Sequence, residues 1–175
     1  GQSGGWTTTW QGVMTNENRG HTILDGIKAM TGEDNVEYMK VKKHFMDADK
    51  SKYDVVIFIT GEVPYAEGDG DNPRPSLSKS DLDYISHLNE FDIKTLLLVV
   101  SGRPLLLDGA EESMDAIVAT WQPGTEGLGV ADVLFGKLPF TGKLPIAWPK
   151  DENGLIQGQA DEIYQYPFAY GLTIE

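Results

Sequence analysis

The sequence predicts an α/β fold, in which a mostly parallel sheet carries helices on both faces. The stretches 54–60 and 94–100 are apolar almost throughout, and the first is rich in β-branched residues. Such runs are typical of strands buried on both faces of a parallel sheet. A shorter apolar run covers 116–121, and helical patterns separate the runs, which favours parallel strands joined by crossover helices. With 175 residues and 40% hydrophobic composition, the stretch 1–175 is expected to form a single domain, either by itself or as part of a larger protein.

The first half of the chain contains the elements that lead into the sheet. Residues 22–30 place apolar side chains on one helical face, and Thr22 can cap that helix. The alternation over 36–41 predicts a strand ahead of the apolar strand at 54–60. Ser78 and Asp81 have the spacing of a capping box, which predicts a helix that runs to about Phe91.

The second half continues the same alternation. After the strands at 94–100 and 116–121, residues 125–135 have the pattern of a helix, and Gly136 is expected to end it. The remaining tail is rich in proline and aromatic residues.

Charge and composition exclude several classes of function. The chain has 14 basic and 27 acidic residues, a net charge of −13, which disfavours nucleic acid or an anionic membrane as a partner. It has no cysteine, so neither a disulfide framework nor a thiolate metal site is possible. No run of transmembrane length is present, and no residue pattern implies a cofactor.

The acidic loop at 61–72 is the strongest candidate site. It carries four carboxylates and follows the apolar strand at 54–60. Ligands of parallel sheets gather beyond the carboxyl ends of the strands. Pro64 and the loop's three glycines indicate a fixed, non-helical path with some positive φ angles. An acidic, solvated surface connection remains the alternative.

Calcium binding, triad hydrolysis and phosphate binding do not fit the sequence. Glu67, Asp69 and Asp71 alternate like the start of a calcium loop, but Asn72 stands where the turn glycine belongs and Ser78 where the bidentate glutamate belongs. The three histidines accompany no nucleophile-elbow motif, and no phosphate-binding loop is present. Carboxylates beside aromatic residues remain, and these suit glycoside hydrolysis, with Trp6, Trp10 and Tyr65 as candidate sugar-binding faces.

Seven motifs in order carry a family resemblance: Gly-Gly-Trp-Thr-x-x-Trp-Gln-Gly at 4–12, Gly-Glu-x-Pro-Tyr-x-Glu at 61–67, Ser-Gly-Arg-Pro at 101–104, Trp-x-Pro-Gly-x-Glu-Gly at 121–127, Ala-Asp-Val-Leu-Phe-Gly at 131–136, Gly-Lys-Leu-Pro at 142–145 and Tyr-Gly-Leu at 170–172. Together they resemble the second domain of glycoside hydrolase family 3, the β-glucosidase and exo-β-glucanase family. The likeness covers nearly the whole chain.

The resemblance implies an (α/β)₆ sandwich that follows a barrel domain, with the active site between them. The barrel supplies the aspartate nucleophile, and the sandwich supplies the general acid/base. By motif position that acid/base is Glu67 rather than Glu62, which is expected to help position the loop. Trp10 matches a tryptophan beside the leaving-group sugar, and Trp6 is expected to pack. Arg103 and Glu126 are interpreted as structural.

The implied function is hydrolysis of terminal β-D-glucosyl residues, with retention, from a β-glucoside or β-glucan oligosaccharide. The barrel is the implied partner, and both it and the first strand of the sandwich are absent from this chain. The isolated chain is therefore expected to be inactive, and the family implies a secreted or periplasmic enzyme. Two alternatives stay open: a non-catalytic carbohydrate-binding or interdomain scaffold, and a flavodoxin-like module that binds a flat or phosphorylated ligand.

Overall fold

A parallel sheet forms the centre of the molecule. The computed structural model describes residue 10 and residues 20–155 and 163–173. Its main sheet has three strands in the order β1 (Val55–Gly61), β2 (Lys94–Val100) and β3 (Ala116–Trp121). Both neighbouring pairs are parallel. The predicted α/β class is confirmed, and β2 and β3 have the predicted bounds because nearly all their residues are apolar.

Both faces of β2 are buried. Successive side chains of a strand point to opposite faces, so Leu97 and Val99 enter one core cluster while Leu98 and Val100 enter another. All four side chains are at most 4% exposed. This two-sided burial explains why the sequence of β2 is a continuous apolar run and does not alternate between apolar and polar residues.

Three helices belong to the first face: α2 (Lys42–Asp47), α3 (Lys79–Leu88) and α4 (Ala110–Ser113). The Ser78 hydroxyl accepts a hydrogen bond of 3.1 Å from the Asp81 backbone N–H, which confirms the predicted start of α3. The helix ends earlier than predicted. Phe91 lies beyond that end and packs edge-to-face on Phe45, with ring centroids 5.9 Å apart.

The second face is covered by α1 (Ile23–Thr31) and α5 (Gly127–Leu134). Thr22 and Asp25 form the capping box of α1, so the predicted cap is confirmed. A Cβ atom on Gly26 would lie 2.6 Å from the Gly127 carbonyl oxygen, so glycine is needed where the two helices meet. Helix α5 begins later than predicted, and Gly136 follows it with a φ of +73°.

The prediction of a strand at 36–41 is wrong. Val36 and Val41 have extended backbone angles, but no described residue pairs with this segment in a ladder. A strand needs a hydrogen-bonded neighbour as well as an alternating sequence. The segment instead borders a groove of about 930 Å³, whose other side is formed by residues 53–63, including β1. Within the described residues, no strand pairs with this edge of β1.

The tail forms a small antiparallel ribbon of β4 (Trp148–Pro149) and β5 (Tyr164–Tyr166). The sequence did not predict these short strands. Trp148 is 3% exposed and its indole N–H donates to the Leu105 carbonyl oxygen at 2.8 Å, which ties the ribbon to the core.

Across the residues that the structure describes, no helix is both long enough and apolar enough to cross a bilayer.

Candidate active site

The acidic loop leaves β1 beside the end of β2. Gly61 is in register with Val100, and the Glu62 backbone N–H donates to the Val100 carbonyl oxygen at 3.1 Å. A Cβ atom on Gly61 would lie 1.7 Å from that same oxygen, so only glycine fits there. Because the two strands are parallel and end together, Glu62 and Arg103 lie at the same edge of the sheet.

Glu62 is a paired, largely buried carboxylate. The Arg103 Nε and Nη2 atoms donate to Glu62 Oε1 at 2.9 and 2.7 Å. The Tyr65 hydroxyl donates to Oε2 at 3.2 Å, so both carboxylate oxygens have partners. The side chains of Glu62 and Arg103 are 11% and 28% exposed. Partial burial strengthens the attraction between the two charges but also costs desolvation, so loss of either partner would leave an unpaired, partly buried charge.

Arg103 also reaches the far side of the loop. Its Nη1 atom donates to the Gly70 carbonyl oxygen at 2.9 Å. Its guanidinium carbon lies 4.7 Å from the centroid of the Tyr65 ring, within the range of a cation–π contact. Burial and the Glu62 carboxylate raise the pKa of the Tyr65 hydroxyl, while Arg103 opposes that rise. Tyr65 therefore stays neutral and can donate its hydrogen bond.

Close approach requires glycine at Gly61 and Gly70 of the loop and at Gly102 beside it, but not at Gly68. A Cβ atom on Gly70 would lie 2.2 Å from Tyr65 Cδ2, and one on Gly102 would lie 2.9 Å from Gln122 Nε2. The expectation that the loop's glycines adopt positive φ is wrong, since none of Gly61, Gly68 and Gly70 does so. The positive φ falls on Glu67 instead.

Glu67 differs from Glu62 in exposure, in hydrogen-bond partners and in backbone conformation. It is exposed, begins a short 3₁₀ turn (Glu67–Gly70), and has a φ of 47°. Its carboxylate makes no hydrogen bond or ion pair with another described residue. A left-handed conformation costs a non-glycine residue about 1 to 3 kcal/mol, and it persists only where the surroundings impose it. The Tyr65 and Gly70 anchors on either side of Glu67 supply that constraint.

The predicted aromatic residues have different surroundings. Tyr65 is partly buried inside the loop, where its contacts include Glu62, Arg103 and Gly70. Trp10 is 69% exposed. Trp6 lies outside the described residues.

Asp69 and Asp71 are exposed on the same loop. Across residues 20–155 and 163–173 and at residue 10, no three acidic, histidine or cysteine side chains are grouped so that they could hold a metal ion. The loop therefore offers carboxylates singly, as proton donors, acceptors or hydrogen-bonding groups.

Sequence reasoning did not identify how the loop is held. It treated Arg103 as structural without naming its partner, and it overlooked the Gly70 carbonyl and the glycine at 102. One signal was available: two motifs, at 61–67 and 101–104, each follow a predicted buried strand. Adjacent parallel strands bring such segments together at one edge.

Comparison with known proteins places this arrangement in a family. Residues 1–174 match the model of the glycosyl hydrolase family 3 C-terminal domain. Among solved structures, an exo-1,3/1,4-β-glucanase from a Pseudoalteromonas species is similar over 98% of this chain and 23% of its own, with 33% identity and a TM-score of 0.78.

Two curated proteins extend the comparison. A periplasmic β-glucosidase of Salmonella typhimurium is 37% identical over 99 residues, 55% of this chain and 13% of its own length. A xylan 1,4-β-xylosidase of Xylanibacter ruminicola is 31% identical over 140 residues, 67% of this chain and 16% of its own length. The chain thus spans less than a quarter of each of these relatives.

Proposed function

Because the chain belongs to the family of glycosyl hydrolase family 3 C-terminal domains, we propose that it supplies the general acid/base of a retaining β-glucosidase or exo-β-glucanase, and that Glu67 is that residue. The observation that carries the proposal is the contrast between the loop's two glutamates. Glu62 is occupied by Arg103 and Tyr65, whereas Glu67 is accessible and held in a constrained turn. A group that exchanges protons with substrate and water needs that accessibility.

The proposed mechanism uses Glu67 twice. In the first step the Glu67 carboxylic acid protonates the glycosidic oxygen as the bond from that oxygen to the anomeric carbon breaks. A carboxylate nucleophile forms the glycosyl ester. In the second step the Glu67 carboxylate takes a proton from water, whose oxygen attacks the anomeric carbon and releases the ester. The sugar leaves with its original anomeric configuration, and Glu67 is protonated again.

The nucleophile belongs, in this proposal, to a barrel domain that precedes the chain. The chain spans 23% of the similar exo-glucanase, so there is ample polypeptide for such a domain in a relative of that length. The isolated 175-residue chain is then expected to have negligible activity. Measurable hydrolysis of an aryl β-glucoside by the purified chain would contradict this division of labour.

We assign Trp10 and Tyr65 to the sugar. Trp10 exposes 69% of its surface and offers a flat face to the leaving-group sugar. Tyr65 is partly accessible and lies two residues before Glu67, so its ring edge can reach a sugar bound there. A Trp10→Ala variant should raise KM for a disaccharide more than for an aryl glucoside, because only the disaccharide has a sugar in that position.

The substrate class is a terminal β-linked pyranose. The relatives named above are a glucosidase, a glucanase and a xylosidase, and the proposal takes glucose as the glycone. The periplasmic relative supports a secreted or periplasmic enzyme. Comparing kcat/KM for 4-nitrophenyl β-glucoside and β-xyloside with the full-length protein tests the choice of glycone.

The deciding experiment replaces Glu67 in the full-length protein. Glu67→Ala should lower kcat/KM strongly for substrates with poor leaving groups, which need protonation, and little for 2,4-dinitrophenyl β-glucoside. Added azide should restore turnover of the dinitrophenyl substrate by attacking the glycosyl ester. The azide nitrogen then bonds to the anomeric carbon, and the product is β-glucosyl azide.

A non-catalytic scaffold predicts a different outcome. In that case Glu67→Ala lowers the rates for all leaving groups equally or not at all, and azide changes nothing. Asp71→Ala provides the comparison variant, because it removes an exposed carboxylate from the same loop and leaves the contacts of Glu62 and Arg103 in place.

A further inference from the structure

The contacts of Arg103 enclose the turn that presents Glu67. The guanidinium donates to Glu62, before the turn, and to the carbonyl of Gly70, its last residue, at 2.7 to 2.9 Å. It also covers the Tyr65 ring at 4.7 Å. One side chain from the end of β2 therefore holds both ends of a loop that leaves β1.

All three guanidinium nitrogens of Arg103 donate hydrogen bonds in this arrangement. Nε and Nη2 point to one carboxylate oxygen of Glu62, and Nη1 points away from it to the Gly70 backbone. A lysine at 103 has a single nitrogen on a flexible stem and cannot span the two partners in this way. The Tyr65 hydroxyl donates to the other carboxylate oxygen of Glu62, so the Glu62–Arg103 pair leaves no uncompensated charge.

Packing of Tyr65 against Gly70 extends this restraint to Glu67. Tyr65 lies against Gly70 so closely that a Cβ atom there would be 2.2 Å from the ring, which brings the two ends of the turn together. Glu67 lies between them with a φ of 47°. A non-glycine residue keeps that conformation only when its neighbours fix it.

We infer that Arg103 is a positioning residue for the proposed proton transfer: it acts through Glu67, by holding the turn, and it does not contact the substrate. The inference rests on the proposed function. Rates of oriented reactions fall by about 100-fold for a misplacement of about 1 Å. Loss of Arg103 should therefore resemble a partial loss of Glu67.

The test measures kcat/KM of the full-length protein for Arg103→Met on two substrates. We expect about a 100-fold fall for a poor leaving group such as an alkyl β-glucoside. For 2,4-dinitrophenyl β-glucoside, whose departure needs no proton, we expect less than about a 3-fold change. Arg103→Lys should fall between the wild type and Arg103→Met. Partial unfolding would instead lower both values equally and would overturn the inference.

A double-mutant cycle separates this inference from the proposed function. If Arg103 acts only through Glu67, Glu67→Gln/Arg103→Met should match Glu67→Gln within about 2-fold. Additive losses would contradict the positioning role while leaving Glu67 as the acid/base. A Glu67→Gln variant with no leaving-group dependence would overturn the proposed function itself.

Two further variants guard against a folding failure. Gly70→Ala displaces the Tyr65 ring without removing a charge, and it should give the same leaving-group dependence as Arg103→Met. Arg74→Met is the matched control, because Arg74 forms a bidentate ion pair with Asp108 at 2.8 and 2.9 Å and a second with Glu152. It should show no leaving-group dependence, and a dependence like that of Arg103→Met would count against the inference.

Discussion

Glu62 and Glu67 belong to the same short loop, yet their surroundings differ. The Glu62 side chain is 11% exposed and accepts hydrogen bonds from Arg103 and Tyr65. The Glu67 side chain is exposed and has no partner among the described residues. Both oxygens of the Glu62 carboxylate are occupied by protein donors, whereas the exposed Glu67 carboxylate is accessible to a substrate. The comparison separates the residue that holds the loop from the residue that the loop presents.

The largest expected effect comes from Glu67→Gln. General acid/base catalysis contributes about 10² to 10⁴ in rate, so kcat/KM for a poor leaving group should fall by that factor. Thermal stability should change little, because the side chain has no described partner to lose. Steady-state kinetics and a melting curve on the same preparation check both parts.

Glu62→Gln should lower stability more than Glu67→Gln does, and it should lower activity less, because Glu62 acts on proton transfer only through the position of the turn. The amide cannot accept two charge-assisted hydrogen bonds from Arg103, and its NH₂ group faces a donor unless it turns away. We expect the free energy of unfolding to fall by about 1 to 3 kcal/mol, as measured by urea denaturation of the full-length protein. A Glu62→Gln variant that matched the wild type in stability would remove the structural half of the comparison.

Tyr65→Phe tests the longest of the three hydrogen bonds that Glu62 accepts. It removes the hydroxyl that donates at 3.2 Å and keeps the ring beside Gly70 and Arg103. The expected loss in unfolding free energy is about 0.5 to 1.5 kcal/mol. A loss larger than that of Glu62→Gln would mean that Tyr65, not the ion pair, holds the loop.

A third carboxylate, Asp81, is paired like Glu62 but belongs to α3. Burial alone would raise the pKa of Asp81, but hydrogen bonds from Lys42, Thr60 and Ser78 outweigh it and lower that pKa. Its stabilising contribution is then complete above the unfolded-state pKa of about 3.9 and is lost as the pH falls through the lower folded-state value.

The Asp81→Asn variant should therefore have the smallest effect on activity and a pH-dependent effect on stability. Its urea midpoint should lie below that of the wild type at pH 7, and the difference should shrink below about pH 4. Leaving-group dependence should be absent. A stability difference that stayed constant down to about pH 2 would show that the hydrogen-bonded carboxylate is not its source.

The sequence predicted the sheet well and the loop only in part. Lys94–Val100 was predicted with its correct bounds because both faces of the strand are buried, which leaves a distinct apolar run. The segment at 36–41 was wrongly predicted as a strand because alternation does not reveal whether a partner strand is present. The α3 cap was found because Ser78 and Asp81 interact locally.

The loop's architecture could not be read in the same way, because it depends on contacts between residues far apart in the chain. Nothing in the sequence spacing of Glu62 and Arg103 indicates that Glu62 accepts hydrogen bonds from Arg103. The positive φ was expected at glycine and occurs at Glu67, in a turn whose last residue, Gly70, lies against the Tyr65 ring. The roles proposed for Glu67, Trp10 and Tyr65 remain predictions from motif and geometry.

The most direct test compares the pH dependence of kcat/KM in the full-length wild type, Glu62→Gln and Glu67→Gln with an alkyl β-glucoside. The alkaline limb of such a profile reports deprotonation of the general acid in the free enzyme. The account predicts that Glu67→Gln loses this limb and that Glu62→Gln keeps it. Loss of the limb in Glu62→Gln, with an intact limb in Glu67→Gln, would contradict the account.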